Sequence, residues 1–441
     1  LSIPREPESP VYDLVGIGFG PSNLALAVAV QEHNDHTAAG EGLDAVFLER
    51  QSAFGWHRGM LFEDATMQVS FLKDLVTLRN PASDFSFVSY LHQRGRLIDF
   101  VNHKTLFPLR VEFHDYLSWA AERMNHLVAY DAEVTDVLPV HDESGEVVCF
   151  DVVARDGVRR ARNVAIALGL ELSLPPEAML SARVWHNLDL LSRLADLPAA
   201  EPRRFVVVGA GQSAAEVVGH LHERYPSAEV CSVFYRYGYS PADDSSFANR
   251  IFDPDAVDLY YRAPADVKRM LFDYHRNTNY SVVDVDLIDD LYRRVYREKV
   301  LGRERLRMLN ASRVAEVVPR EDGVTVTVES MPTGDRETLD ADVLVYATGY
   351  RPVDAVKLLG TAGPLARRTG EGLIEVDRDY RIVTGAGVRA GLYLQGGTEH
   401  AHGITATLLS NVAVRSGEIV RAVAATPRAG EVKPLALVRG A

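Results

Sequence analysis

An apolar run interrupted only by Asp13 leads from Val11 to Ile17 and stops in three alternating glycines, Gly16, Gly18 and Gly20. The run predicts a buried strand and the glycines a turn too tight for side chains. Pro21-Ser22-Asn23 then opens a helix whose apolar positions continue to Val30. The same order recurs further on: Phe205 to Val208 as a strand, Gly209-Ala210-Gly211 as a turn, Gln212-Ser213-Ala214-Ala215-Glu216 as a helix start. A polar insertion from His33 to Leu43 separates the first helix from a strand, Ala45 to Leu48, that ends at Glu49. Residues 147–154 and 158–168 alternate like hairpin strands and close on Ala167-Leu168-Gly169. Within 255–300, Val283, Leu287, Ile288, Leu291 and Val295 recur at helical spacing amid charge, which predicts a helical insert. Residues 322–346 return to strands and run into Ala347-Thr348-Gly349-Tyr350. The tail offers a strand at Gly391 to Leu394, a turn at Gly396-Gly397 and a helix from about Ile404.

These elements predict an α/β fold of two Rossmann-like dinucleotide-binding domains with a smaller helical insert. Residues 11–195 and 340–425 would form the first, discontinuous domain, 200–245 and 300–339 the second, and 246–299 the insert. The proline- and charge-bearing stretch from Asp196 to Arg204 marks the boundary, and 1–10 and 426–441 are expected to be frayed termini. Backbone N–H groups in a glycine turn, with a helix dipole behind them, suit a pyrophosphate. The first turn departs from the usual pattern, because Pro21 stands where a third glycine belongs; the second carries Ala214 there. Two turns imply two dinucleotides, and two cofactor folds in one chain point to a flavin reduced by a nicotinamide. Glu49 either accepts ribose hydroxyls or is a solvated acid beside Arg50. The strand Glu229 to Tyr235 ends in Arg236, whose guanidinium suits a ribose 2′-phosphate and so favours NADPH; a plain surface arginine is the other reading.

Composition narrows the class. At 441 residues the chain exceeds one ordinary core. It is 47% apolar, and no apolar run approaches the roughly 18 residues of a membrane span. A net charge of −14 argues against nucleic-acid or anionic-membrane partners. The two isolated cysteines, Cys149 and Cys231, exclude a disulfide framework, a C-x-x-C pair and a cysteine-rich metal site, and no metal is expected. No signal-peptide pattern follows Leu1, so an unexported, cytoplasmic protein with a trimmed start is expected.

An ordered set of segments resembles the flavin-dependent N-hydroxylating monooxygenases of siderophore-type biosynthesis, the ornithine and lysine N-hydroxylases. They are Gly16-Ile-Gly-Phe-Gly-Pro-Ser-Asn-Leu-Ala25, Trp56-His-Arg-Gly-Met60, Met67-Gln-Val-Ser-Phe-Leu-Lys-Asp-Leu75, Gly209-Ala-Gly-Gln-Ser-Ala-Ala-Glu216, Asp243-Asp-Ser-Ser-Phe-Ala-Asn249, Thr278-Asn-Tyr-Ser281, Ala347-Thr-Gly-Tyr350 and His402-Gly-Ile-Thr-Ala-Thr-Leu-Leu-Ser410. The resemblance implies that NADPH reduces FAD, that the reduced flavin adds dioxygen as a hydroperoxide, and that the neutral terminal amine of L-ornithine attacks it. The protein then mostly positions and shields, and no dedicated acid or base is needed.

By the same resemblance Lys73 holds the substrate carboxylate with Asn249, Asn279 holds its backbone, and Ser410 lies near it; on the residues alone, Lys73 could be a surface lysine paired with Asp74. FAD would be held by Gly16, Gly18, Gly20, Pro21, Ser22, Glu49, Trp56, His57, Gln68 and Leu408. NADPH would be held by Gly209, Gly211, Gln212, Ser213, Arg236, Asn279, Ala347, Thr348 and Gly349, with Gln68 and Asn279 nearest the flavin and nicotinamide. The chain departs from the family where Thr405-Ala406 replaces the usual Ser-Asp, and where an arginine near Tyr239 is absent. A homo-oligomer, tetrameric by resemblance, is expected. Lysine or a free diamine such as putrescine or cadaverine is the rival substrate. A disulfide reductase is disfavoured by the absent C-x-x-C, and an NADPH-sensing regulator would need no flavin.

Overall fold

Leu14–Ile17 is buried at all four positions, as a strand must be when it pairs in parallel on both edges and is covered on both faces. In the computed structural model, which describes residues 10–197 and 201–427, it is the middle of a five-stranded parallel sheet. The order is Gly391–Leu394, Asn163–Ile166, Leu14–Ile17, Ala45–Leu48, Val128–Ala129. One face is covered by the helices Pro21–Asp35, Arg110–Arg123 and Val412–Ala424. Residues 23 to 30 of the first of these helices are buried without a break, because that helix lies between the sheet and the C-terminal helix. The other face is covered by an antiparallel meander, Val134–His141, Val147–Ala154 and Gly157–Ala161.

The second sheet repeats this plan. Its parallel order is Val184–His186, Val343–Tyr346, Arg204–Val208, Glu229–Val233, Leu306–Leu309. Helices Gln212–Arg224 and Val285–Leu301 cover one face, and the meander Ser312–Pro319, Val324–Ser330, Arg336–Ala341 the other. In each half the meander immediately precedes the strand beside the glycine-turn strand. The halves are joined by a two-stranded antiparallel ribbon, Leu170–Leu172 against Tyr350–Pro352.

The predicted boundaries shift accordingly. Val184–His186 and Val343–Tyr346 were expected in the first domain and belong to the second sheet, so the chain changes sheets at the ribbon rather than near 195 and 340. Val285–Leu301 was expected in the insert. Its Leu291, Leu287 and Ile288 pack with the helix after the second glycine turn, making it the crossover between Glu229–Val233 and Leu306–Leu309. Pro254–Arg262 and Ala265–His275 remain as insert helices. The run 158–168 divides between the first meander and the first sheet. The last helix begins at Val412, after two 3-10 turns, Ile404–Thr407 and Leu409–Asn411. The Ala406 carbonyl there accepts from the Arg415 side chain, at 2.6 Å. Of the expected frayed termini, residues 1–9 and 428–441 lie outside the described residues, as do 198–200 of the connector.

Candidate active site

Both glycine turns open on one cavity of about 2550 Å³, several times the roughly 300–1,000 Å³ of a site for one small ligand. The turns are glycine for the same reason. Gly18 has φ 83°, and a Cβ there would stand 2.4 Å from the Ala167 carbonyl oxygen; Gly209 has φ 148° and the same Cβ would stand 2.2 Å from that of Ala347. Each carbonyl belongs to the residue following the neighbouring strand, so Ala167-Leu168-Gly169 and Ala347-Thr348-Gly349 are equivalent parts of the two halves. A Cβ on Gly20 would meet nothing within 4 Å, leaving the turn open to a ligand. Gly20 and Gly211 are the N-caps of their helices, and neither helix has a side-chain cap, so the first N–H groups are free for an anion. Pro21, at the first helical turn, gives up only an N–H the helix does not use.

Glu49 is 7% exposed, which excludes the solvated reading. Its oxygens accept from the N–H of Phe19 at 2.7 Å and of Gln51 at 2.9 Å, tying the strand end to the glycine turn. His57 is a non-glycine residue at φ 52°, its ring 4.5 Å from Trp56. Burial, with Arg110 and His114 adding to it, lowers its pKa to about 4, so the ring is neutral. The Asp74 carboxylate accepts from the N–H of Val76, Thr77 and Phe87 and from the Thr77 hydroxyl, at 2.7–3.0 Å. It is therefore not the partner of Lys73. The half-buried Lys73 ammonium lies 5.3 Å from the centre of the Phe252 ring and forms no ion pair among the described residues; burial lowers its pKa, against the attraction of Asp253. Asn249 donates to the Asp244 carbonyl at 2.6 Å, and Asn279 is exposed at the end of a 3-10 turn, Arg276–Thr278.

Lys73, Asn249, Asn279 and Ser410 line this one cavity, with Gly18, Gly20, Pro21, Ser22, Glu49, Trp56, His57, Gln68 and Leu408 from the first half and Gly209, Gly211, Gln212, Ser213, Ala347, Thr348 and Gly349 from the second. Two expected residues stand outside the lining. Gly16 is within the central strand, where a Cβ would strike the Phe47 ring at 2.2 Å; its smallness serves packing, not ligand approach. Arg236 donates to the Ser281 carbonyl at 2.5 Å and to the Ser240 hydroxyl at 3.1 Å, next to Tyr235 and Ser281, which do line the cavity.

Three polar residues escaped the sequence reading. Asp284 accepts from the Gln68 amide at 2.6 Å, and its N–H donates to Gln212 Oε1 at 2.9 Å. Gln212 donates in turn to Glu216 at 3.0 Å. Arg110 donates two hydrogen bonds to Glu216, at 2.7 and 2.8 Å, and others to the carbonyls of Met60 and Thr66. A chain of contacts thus runs from the Gln68 loop through the second half and back to the first. Only the Gln212–Glu216 contact, four residues apart on one helix, is local; the others join residues 44 to 216 positions apart, which no local pattern reveals.

Two parallel sheets, each with a glycine turn and an uncapped helix facing a common cavity, define a protein that binds two dinucleotides against one another. The profile of the L-lysine 6-monooxygenase/L-ornithine 5-monooxygenase family matches residues 10–352, and the chain belongs to that family. It is 41% identical to the L-ornithine N(5)-monooxygenase of Burkholderia cepacia over 406 residues, 89% of this chain and 90% of that one. Its fold superimposes on the ornithine N-hydroxylase of Kutzneria sp. 744, solved with reduced FAD, NADP+ and L-ornithine, with a TM-score of 0.89, 48% identity and coverage of 94% and 99%. It also superimposes on the L-lysine 6-monooxygenase of Pseudomonas syringae, with a TM-score of 0.82, 31% identity and coverage of 93% and 99%.

Proposed function

We propose that this chain is an FAD- and NADPH-dependent monooxygenase that hydroxylates the terminal amine of L-ornithine. The observation that carries the reading is the Lys73 ammonium, without an ion-pair partner among the described residues, in the same cavity as both glycine turns. The residues fit two dinucleotides: glycine turns that line the cavity, the first with open space at Gly20, uncapped helix ends, and Glu49 oxygens that each retain acceptor capacity for ribose hydroxyls after taking one N–H. When bound, the nicotinamide supplies hydride and the flavin supplies oxygen activation.

The chain's own groups bind, orient and exclude water. The N–H groups after Gly20 and Gly211 hold the pyrophosphates, and Gln212 and Ser213 the nicotinamide dinucleotide beside Ala347, Thr348 and Gly349. Arg236 takes the 2′-phosphate by exchanging its bonds to Ser281 and Ser240 for charge-assisted ones. Gln68 donates its amide to Asp284, so its carbonyl oxygen is the end free to accept from a ligand donor. Lys73 holds the substrate carboxylate, with Asn249 and Asn279 on its polar backbone and Ser410 nearby. This leaves the far amine directed into a cavity that Phe252, Leu408 and Leu409 help keep dry.

The 41% and 48% identities to ornithine enzymes favour ornithine over lysine. One methylene separates the two, worth about 1–3 kcal/mol in a fitted pocket. Hydroxylamine formation with ornithine, lysine and putrescine, measured alongside NADPH and oxygen consumption, tests the reading. Ornithine should give the highest coupled turnover, and a preference for lysine or putrescine would reassign the substrate. Among the described residues no helix is long and apolar enough to cross a membrane. We place the enzyme in a reducing cytoplasm, where its two free, buried cysteines are stable, as a homo-tetramer that light scattering would verify.

A further inference from the structure

Among the largest fully buried side chains of the described residues stands one charged group, Arg415, 1% exposed on the Val412–Ala424 helix. A guanidinium stays protonated in a protein, and burying it without a counter-charge is strongly unfavourable. Yet its three hydrogen bonds all go to neutral acceptors: Gln395 Oε1 at 2.9 Å, the Ala406 carbonyl at 2.6 Å and Ser22 Oγ at 3.2 Å. The nearest acid on its own helix, Glu418, attracts it through space but forms no hydrogen bond with it, its two oxygens being held by Arg378 at 2.9 and 3.0 Å, and burial outweighs that attraction. Tyr380 contributes only the face of its ring, 6.0 Å away.

The position of this charge makes the imbalance greater. Ser22 lies in the first turn of the Pro21–Asp35 helix, whose N-terminal end is itself positive and uncapped. Gln395, which accepts from Arg415, donates to the Ser22 carbonyl at 3.0 Å, so Arg415 and Gln395 together fix that turn. Two positive sources are thus built into the back of the same glycine turn, and an anion in front of it balances both. The hydroxyl geometry points the same way. Arginine can only donate, so Ser22 Oγ accepts, and its own proton is left for an acceptor in the cavity that Ser22 lines.

We infer that Arg415 is a positioning residue for the flavin dinucleotide's pyrophosphate: its buried charge supports the phosphates from behind the Gly18–Ser22 turn, and its hydrogen bond commits the Ser22 proton to a phosphate oxygen. This rests on the flavoenzyme reading above. Because Arg415 also holds the Ala406 carbonyl, it ties the phosphate end of the site to the segment that carries Leu408 and Ser410 into the cavity.

The test is titration of the deflavinated full-length protein with FAD, followed by flavin fluorescence, with NADP+ affinity as the internal control. Arg415→Gln should raise the FAD dissociation constant about ten- to a hundredfold, while Arg415→Lys, which keeps the charge, should stay within a few-fold of the parent. Ser22→Ala should weaken FAD about three- to tenfold in the parent and have almost no further effect in Arg415→Gln. NADP+ affinity should not move in any of them. Equal losses in Arg415→Lys and Arg415→Gln would reduce Arg415 to packing and overturn the inference. If Arg415→Gln does not fold, Ser22→Ala decides alone, because it removes one exposed-side hydroxyl from a helix start, and unchanged FAD affinity would overturn the inference. A parent protein that binds no FAD would instead refute the flavoenzyme reading itself.

Discussion

At the scale of single residues, the useful distinction is between charges the fold has already satisfied and charges it has left open. Asp74 and Lys73 are adjacent, yet Asp74 is spent on three backbone N–H groups and a hydroxyl while Lys73 faces the cavity without an ion pair among the described residues. Lys73→Ala should therefore weaken ornithine by a charge-assisted bond, about 1.5–3 kcal/mol or roughly ten- to a hundredfold, and divert oxygen consumption toward hydrogen peroxide. Putrescine, which lacks a carboxylate, should be turned over almost as before. Parental ornithine kinetics and coupling in the variant would remove Lys73 from the substrate site. The pKa shifts of buried histidines make a second prediction at this scale. His57 and His402 have pKa values lowered to about 4, chiefly by burial, against about 6.5 in an unfolded chain; His402 stacks on Tyr380 at 4.2 Å. Between those values the unfolded chain binds more protons. Their contribution to stability is complete above about pH 6.5 and is lost as pH falls toward 4, by up to about 3 kcal/mol per ring. Urea unfolding at pH 7.5 and 5 should show the loss, and His402→Gln should flatten that slope whatever it does to absolute stability. An unchanged slope would mean the ring is already charged in the folded protein.

At the scale of elements, strand, glycine turn and helix were legible because their signals are local: an apolar run, a forced backbone conformation, a proline at a helix start. The sheet a strand joins was not. Val184–His186 and Val343–Tyr346 are as fully buried as the strands of the first sheet, and nothing in such a run names its neighbour. The helical period of Val285–Leu301 was plain, but the face it covers was not. Of the expected site residues all but Gly16 and Arg236 line the cavity, and they were legible through the glycine turns and motif resemblance, whereas Arg110 and Arg415 looked like ordinary helical arginines because their partners are remote. The Arg110–Glu216 pair, with side chains 11% and 7% exposed, joins a helix of the first half to the glycine-turn helix of the second. Glu216→Gln keeps the shape but leaves a buried guanidinium facing a neutral amide, and should cost about 3–5 kcal/mol. A midpoint in chemical unfolding within error of the parent would show the pair to be hydrated and dispensable. Because Gln212 donates to the same carboxylate, the variant should also loosen NADP+.

At the scale of the whole molecule, two copies of one plan meet across a cavity and are joined by a ribbon of three residues on each side. The division of the lining between them makes the last prediction. The second half contributes Gly209 to Ser213 and Ala347 to Gly349 to the lining, and the Gln68–Asp284–Gln212 contacts tie it to the first half without help from any residue proposed to grip the substrate. Lys73 and Ser410 come from other segments, and only Asn279 is proposed to serve both ligands. Alignment of nicotinamide with flavin should therefore be complete in the absence of amine, and anaerobic stopped-flow mixing with NADPH should reduce the flavin at nearly the same rate with and without ornithine. Hydroxylated product, by contrast, should depend entirely on the amine, which the Lys73 side of the cavity is proposed to orient. Asn279→Ala should be the one substitution among these that slows reduction and weakens ornithine together. Reduction that strictly required ornithine would mean the substrate, rather than the brace between the halves, completes the nicotinamide site.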